Sequence, residues 1–201
     1  MATTSNAFAE VIESSLQHFL AQSWQWDACA PFGSLVGVKA GNRTLCGIVY
    51  QVSTGSMEPN RYPFAYQKTE EELRAEQPHI FSFLKTTFSC LLVGYHEKGK
   101  MHYTIAPEPP KIHAFVAPLA ADLQKEFFFR QGYLHLLFQQ AAQLMNVDEI
   151  LLALIKQQQQ LKILNQQNLH AFIEQFSLLS GNDYRRLKCF LQRVQSVIET
   201  V

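Results

Sequence analysis

Residues 33–55 read GSLVGVKAGNRTLCGIVYQVSTG, and the fold turns on this stretch. Two runs rich in valine, isoleucine and leucine flank Ala40-Gly41-Asn42-Arg43, where glycine and asparagine tolerate the positive φ of a tight reversal. This predicts a β-hairpin with its tip at Gly41. Along the second run Cys46, Ile48, Tyr50 and Val52 share one face, and Leu45, Gly47, Val49 and Gln51 share the other. Both faces are largely apolar, which places the strand in a barrel wall or under a covering layer. The bare Gly37 and Gly47 mark sharp bends or close approach of another segment. A small barrel is filled by its own side chains, so Val36, Ile48, Tyr50, Val52 and Leu92 are expected to be buried.

Toward the N-terminus, residues 8–13 and 16–26 read as two strands joined by a turn at Ser14 and Ser15, and residues 27–32 connect them to the hairpin. Beyond it, residues 55–68 form a long loop. Thr69 opens a helix, with Glu72 completing a capping box and three glutamates at the positive end of the helix dipole. Pro78 interrupts that helix, and residues 79–86 make a second helical turn burying Ile80, Phe81 and Leu84. Residues 88–95 return to strand, Glu97-Lys98-Gly99-Lys100 turn the chain, and Met101, Tyr103 and Ile105 alternate along the next strand. Pro107, Pro109 and Pro110 form a stiff link to a last strand at 112–116.

After Pro118 the periodicity becomes helical, as in Leu169, Phe172, Ile173, Phe176 and Leu179, and again in Tyr184, Leu187, Leu191, Val194 and Ile198. Asn146 with Glu149 marks a helix start and Gly181 a helix stop. The glutamine run Gln157 to Gln160 reads as a solvated helix face. The fold class is therefore α+β: a small β-barrel over residues 7–117 with a helical insertion at 69–86, followed by an all-helical domain over residues 119–201.

The 201 residues, 47% of them apolar, can bury one good core or two small ones without disulfide or metal. The 17 basic and 17 acidic residues balance, and the balance holds on both sides of Pro118, so bulk charge points neither to nucleic acid nor to an anionic membrane. Cys29, Cys46, Cys90 and Cys189 are scattered without a C-x-x-C pair, which suits reduced thiols in the cytoplasm. No apolar run approaches the roughly 20 residues of a membrane span.

Motifs for chemistry are sparse. Gly94 to Met101 matches G-x-x-x-x-G-K but ends in methionine where a P-loop needs a hydroxyl for magnesium, and a strand follows where a helix should begin. An ordinary hairpin turn is expected there, without nucleotide binding. The seven histidines lack the i, i+4 pairing of a helical metal site, although His96 and His102 could meet across the turn. The acids Glu70, Glu71, Glu72 and Glu76 suit a helix first turn. No catalytic, cofactor or metal residue is assigned. More informative is the set Arg61, Tyr62, Phe64, Tyr66 and Lys68, in which aromatic and cationic side chains interleave. Such a loop folds down onto the barrel, contacts a protein partner, or stacks on bases.

The run from Gly33-Ser34-Leu35-Val36 to Gly47-Ile48-Val49-Tyr50-Gln51-Val52 resembles the HAS-barrel, the small barrel at the N-terminus of ATP synthase α and β subunits and of HerA-type DNA translocases. Residues 63–66 (PFAY), 68–78 (KTEEELRAEQP) and 110–116 (PKIHAFV) look like stand-alone HAS-barrel proteins of photosynthetic bacteria, in which helices follow the barrel; LLSGNDY at 178–184 is the best match in the tail. In the larger relatives the barrel assembles subunits and docks accessory proteins, while ATP chemistry sits in a separate core. This chain has too few residues after Pro118 for such a core. The resemblance thus implies a non-enzymatic interaction or assembly module that docks onto a larger protein complex. Two other functions fit the chain: a nucleic-acid-associated adaptor linked to a translocase or nuclease, and a small hydrolase or ligand-binding protein with a pocket between barrel and helices.

Overall fold

The computed structural model describes residues 6–58, 60, 63–141, 144, 146–181 and 183–199, with only the backbone of Glu199. Its strands are β1 (Ala9–Ser14), β2 (His18–Ser23), β3 (Leu35–Ala40), β4 (Arg43–Ser56), β5 (Leu84–Glu97), β6 (Lys100–His102) and β7 (Phe115–Pro118). The sheet runs β2-β1-β7-β3-β4-β5-β6, and a further β2–β5 pairing closes its first six members into a barrel, every ladder antiparallel. Only β6 lies outside the ring, appended to β5. The hairpin is as the sequence predicts: Ala40 pairs with Arg43, and Gly41 takes φ +58° at the first central position of a two-residue turn. The Glu97–Lys100 turn also forms, with positive φ at both Lys98 and Gly99.

The two apolar faces of the wall have different destinations. Val11, Phe19, Val36, Val38, Leu45, Val49, Phe88 and Val116 turn inward and fill the barrel. Gly47 gives the Phe19 ring its space, since a Cβ there would sit 3.0 Å from the ring and 3.2 Å from Cys90. Leu35, Cys46, Ile48, Leu91, Val93 and Met101 turn outward, into a second core shared with the helices. Ile48 is therefore buried, as expected, but under the helical layer rather than inside the barrel. Val52 departs from expectation and lies at the surface. A register shift between Val49 and Gln51 bulges the strand at this point and reverses its parity.

Among the described residues after Pro118 every regular element is helical: α2 (Ala121–Phe129), α3 (Tyr133–Gln139), α4 (Val147–Gln160), α5 (Gln166–Leu179) and α6 (Tyr184–Glu199). Asn146 caps α4 by accepting from the Glu149 amide, and Gly181, with φ +70°, follows the end of α5. Phe172, Phe176 and Phe190 stack between α5 and α6, with the last two centroids 4.5 Å apart. Arg186–Asp148 and Arg193–Glu149 ion pairs tie α6 to α4. The glutamine run is not uniformly solvated. Gln158 is buried, and Gln157 and Gln159 donate to Gln124 and to the Ile198 carbonyl, because the apolar face of α4 is wide enough to draw in its last turn.

Four element boundaries differ from the sequence expectation. Strand β2 spans only His18–Ser23, leaving Leu16 and Trp24 exposed. The expected helical turn at 79–86 is a 3₁₀ segment, Pro78–Phe83, and residues 84–86 belong to β5, which continues its ladder with β4. Strand β6 stops at His102 because Tyr103 leaves the sheet to donate its hydroxyl to α2, 2.8 Å from the Phe127 carbonyl and 3.2 Å from that of Glu126. The last strand begins at Phe115 rather than 112, since His113 adopts φ +66° in a turn closed by Ala114 N–H to the Lys111 carbonyl.

Candidate functional site

The segment between β4 and β5 builds the site. Helix α1 (Glu70–Glu76) starts at Thr69, whose hydroxyl accepts from the Glu72 amide while the Glu72 carboxylate accepts from the Thr69 amide at 2.8 Å. Gln77, which leaves the helical region with φ −140° and ψ 56° before Pro78, ends it. A seven-residue helix with no buried side chain cannot hold itself in place, and Arg74 supplies the anchor. Its guanidinium pairs with Glu70 at 2.8 Å and Asp27 at 3.4 Å and lies 4.7 Å from the Phe81 ring. Phe81 in turn stacks on Trp26 at 5.7 Å. Lys68 closes the other end by pairing with Glu76.

Folded in this way, α1 and the 3₁₀ segment enclose a cavity of about 260 Å³ with Phe64, Tyr66, Leu73, Ile80 and Leu84 in its walls. Phe64 and Tyr66 pack together at 4.3 Å, yet Phe64 remains 68% exposed. Of the five residues expected to contact a partner, the structure brings Phe64 and Tyr66 to one apolar rim and commits Lys68 to an internal ion pair. Arg61 and Tyr62 lie outside the described residues. Sequence reasoning missed Trp26, Asp27 and Arg74 as the anchor. The i, i+4 spacing of Glu70 and Arg74 was a visible signal for part of it, but the approach of Trp26 from a distant connection was not.

The rim is acidic. Glu70, Glu71, Glu72 and Glu76 outnumber Lys68 and Arg74, both of which are already paired. A phosphate backbone would meet repulsion here, whereas an apolar or basic protein segment would not.

Other polar groupings are structural in character. Glu126 on α2 accepts the Met101 amide at 2.8 Å and faces His96 at 3.6 Å, closing the free side of β6. His102 stacks on Tyr95 instead of meeting His96. No group of three or more candidate metal ligands occurs among the described residues. All four cysteines are free. A wider cleft of about 580 Å³ lies between β3, β7 and the start of α2, but Lys39 there is bonded to Thr44 at 2.9 Å and His113 to Glu10 at 3.0 Å.

Burial holds several titratable groups in their neutral forms. The Cys46 thiol is pushed up to about 12 by burial, with the Glu126 carboxylate adding to the effect. The Tyr103 hydroxyl is raised to about 12 by the same two causes in the same order. Burial also raises Cys90 and Tyr133. Neither buried thiol is a thiolate at neutral pH, so neither has the state a cysteine nucleophile needs. These shifts set an alkaline limit on stability. Below pH 9 the Cys46 contribution is complete; as pH rises from 9 toward 12 the unfolded chain ionises while the folded chain does not, and stability falls. We expect the unfolding free energy from urea denaturation to drop steadily above pH 9, with the buried Cys46 thiol contributing up to about 1.4 kcal/mol per pH unit. A Cys46→Val variant should show a shallower decline; an unchanged slope in both proteins would contradict this account.

A scan of known protein-family models finds none that matches the chain, and a search of curated proteins finds no match either.

Proposed function

We propose that this chain is a non-enzymatic interaction module which docks onto a larger protein through the Phe64–Tyr66 rim, and that its barrel is of the HAS-barrel kind. The observation that carries the reading is an aromatic side chain left two-thirds exposed over an apolar cavity whose walls are fixed by ion pairs and ring stacking. Interfaces are anchored by such aromatic groups because they offer wide apolar area at little entropic cost. The closed six-stranded barrel followed by helices supports the family resemblance. Among the described residues no helix is long and apolar enough to cross a membrane; free cysteines agree with a cytoplasmic setting, which is part of the proposal.

The adaptor reading for nucleic acid is weakened by the excess of acid on α1, and the pocket reading by the mutual satisfaction of Lys39 with Thr44 and of His113 with Glu10 in the larger cleft. The test is affinity purification from native cells with wild type and a Phe64→Ala, Tyr66→Ala double variant. We expect the variant to lose specific partners while its unfolding free energy stays within about 1 kcal/mol, as for surface substitutions. Retention of every partner by a folded variant would place the contact elsewhere.

A further inference from the structure

Strand β4 outruns its neighbour. Its ladder with β3 ends at Ile48, paired with Leu35, and the next contacts are Gly33 N–H to the Val49 carbonyl at 2.7 Å and Val49 N–H to the Ser34 carbonyl at 3.1 Å. From Gln51 to Ser56 the strand pairs with β5 alone. The Met57 amide donates to the Phe83 carbonyl, which sets the alternation of the antiparallel ladder. Gln51, Ser53 and Gly55 therefore exchange bonds with β5, and Val52, Thr54 and Ser56 direct their N–H and C=O groups away from it. Among the described residues no backbone or side-chain group bonds to these outward groups, and residues 51–54 are exposed.

Open edges of this kind are normally guarded by charge, proline or brevity. Strand β6, which also has a free side, is three residues long, and Glu126 takes its Met101 amide. Residues 51–56, QVSTGS, carry neither charge nor proline. We propose that this edge accepts an extended peptide from another protein as an added strand, with one apolar side chain of that peptide entering the 260 Å³ cavity that Ser56 helps to line. The inference rests on the docking function proposed above and names its mode of recognition.

Three features select the occupant. Unfilled backbone groups at alternate residues match an extended chain and no other conformation. Three outward residues and one cavity fall far short of the roughly 800 Å² per side that a folded partner or a second copy buries. The excess of glutamates on α1, the helix that contributes Leu73 to the cavity wall, favours basic residues flanking the apolar anchor.

The experiment is selection of a phage-displayed library of random peptides on the full chain, followed by affinity measurement on the synthetic winners. We expect sequences with one large aliphatic or aromatic residue and basic neighbours, weakened about tenfold or more by Thr54→Pro and by Phe64→Ala. Because Thr54→Pro can disturb the ribbon, the winners are also N-methylated one amide at a time. Strand addition requires sensitivity at alternate positions, since only every second amide faces β4. Absence of enriched peptides, or affinities indifferent to both N-methylation and Thr54→Pro, overturns the proposal. So does a dimer of the chain in sedimentation that Thr54→Pro dissolves, which assigns the edge to a second copy. If native partners are still lost with Phe64→Ala while no peptide is selected, strand addition fails and docking stands; if peptides bind with alternate sensitivity but native partners ignore Phe64→Ala, the docking function fails.

Discussion

Gly94→Ala is expected to destabilise the protein by about 4 kcal/mol, combining the strain of a left-handed residue with overpacking against backbone. Gly94 has φ +146°, and a Cβ there would sit 2.3 Å from the His102 carbonyl oxygen, an atom fixed in the β5–β6 hairpin. Neither the strain nor the clash can relax by rotating a side chain. At this chain length the shift corresponds to a fall of roughly 10 °C in melting temperature, read by calorimetry. Gly99→Ala is the control, since it also has positive φ but open space around it, and a loss of only about 1 kcal/mol is expected. Equal losses would show that conformation, not the close approach, dictates glycine at 94. The pair also explains why a G-x-x-x-x-G-K pattern occurs here: one glycine is required by packing and the other by a turn, and the segment leads into a strand.

The second large effect concerns the joint between barrel and helices. Ile48→Ala removes a fully buried side chain from the outer wall, where the surrounding core includes Leu151, Leu154 and Phe127, and is expected to cost about 3–4 kcal/mol. Val52→Ala, four residues along the same strand, is expected to cost under about 0.5 kcal/mol because Val52 is at the surface. Since Ile48 belongs to the core that the helices share, its loss should lower the barrel and helical transitions together, followed by near-ultraviolet signals and by far-ultraviolet helicity at once. Helical unfolding unaffected by Ile48→Ala would mean that the two regions draw their stability from separate cores.

The features legible in the chain are those set by neighbours in sequence. Gly41 and the Lys98-Gly99 pair specify tight turns through their φ preferences, and the capping box of Thr69 and Glu72 closes through residues three apart. The change of periodicity at Pro118 separates strands from helices because burial on one face must follow the repeat of the backbone itself. An apolar residue on both faces of β4 likewise announces two covered sides.

What covers each side was decided in three dimensions. Ile48 and Val49 are equally apolar, and only closure of the ring through β2 and β5 sends one under the helices and the other into the barrel. The bulge near Tyr50 inverts the parity of everything after it, so Val52 cannot be placed by counting from Ile48. Gln158 is buried because α4 meets the rest of the helical layer there, although its neighbours in sequence are glutamines. At the candidate site, Phe64, Tyr66 and Lys68 could be singled out by residue type, but their roles depended on distant partners: Lys68 is spent on Glu76, and the cavity exists because Arg74 reaches Asp27 and Phe81 stacks on Trp26. The open edge of β4 has the same origin. Among the described residues nothing pairs with it because β3 begins at Leu35, and the length of one strand relative to its neighbour is a property of the pairing, not of either segment alone.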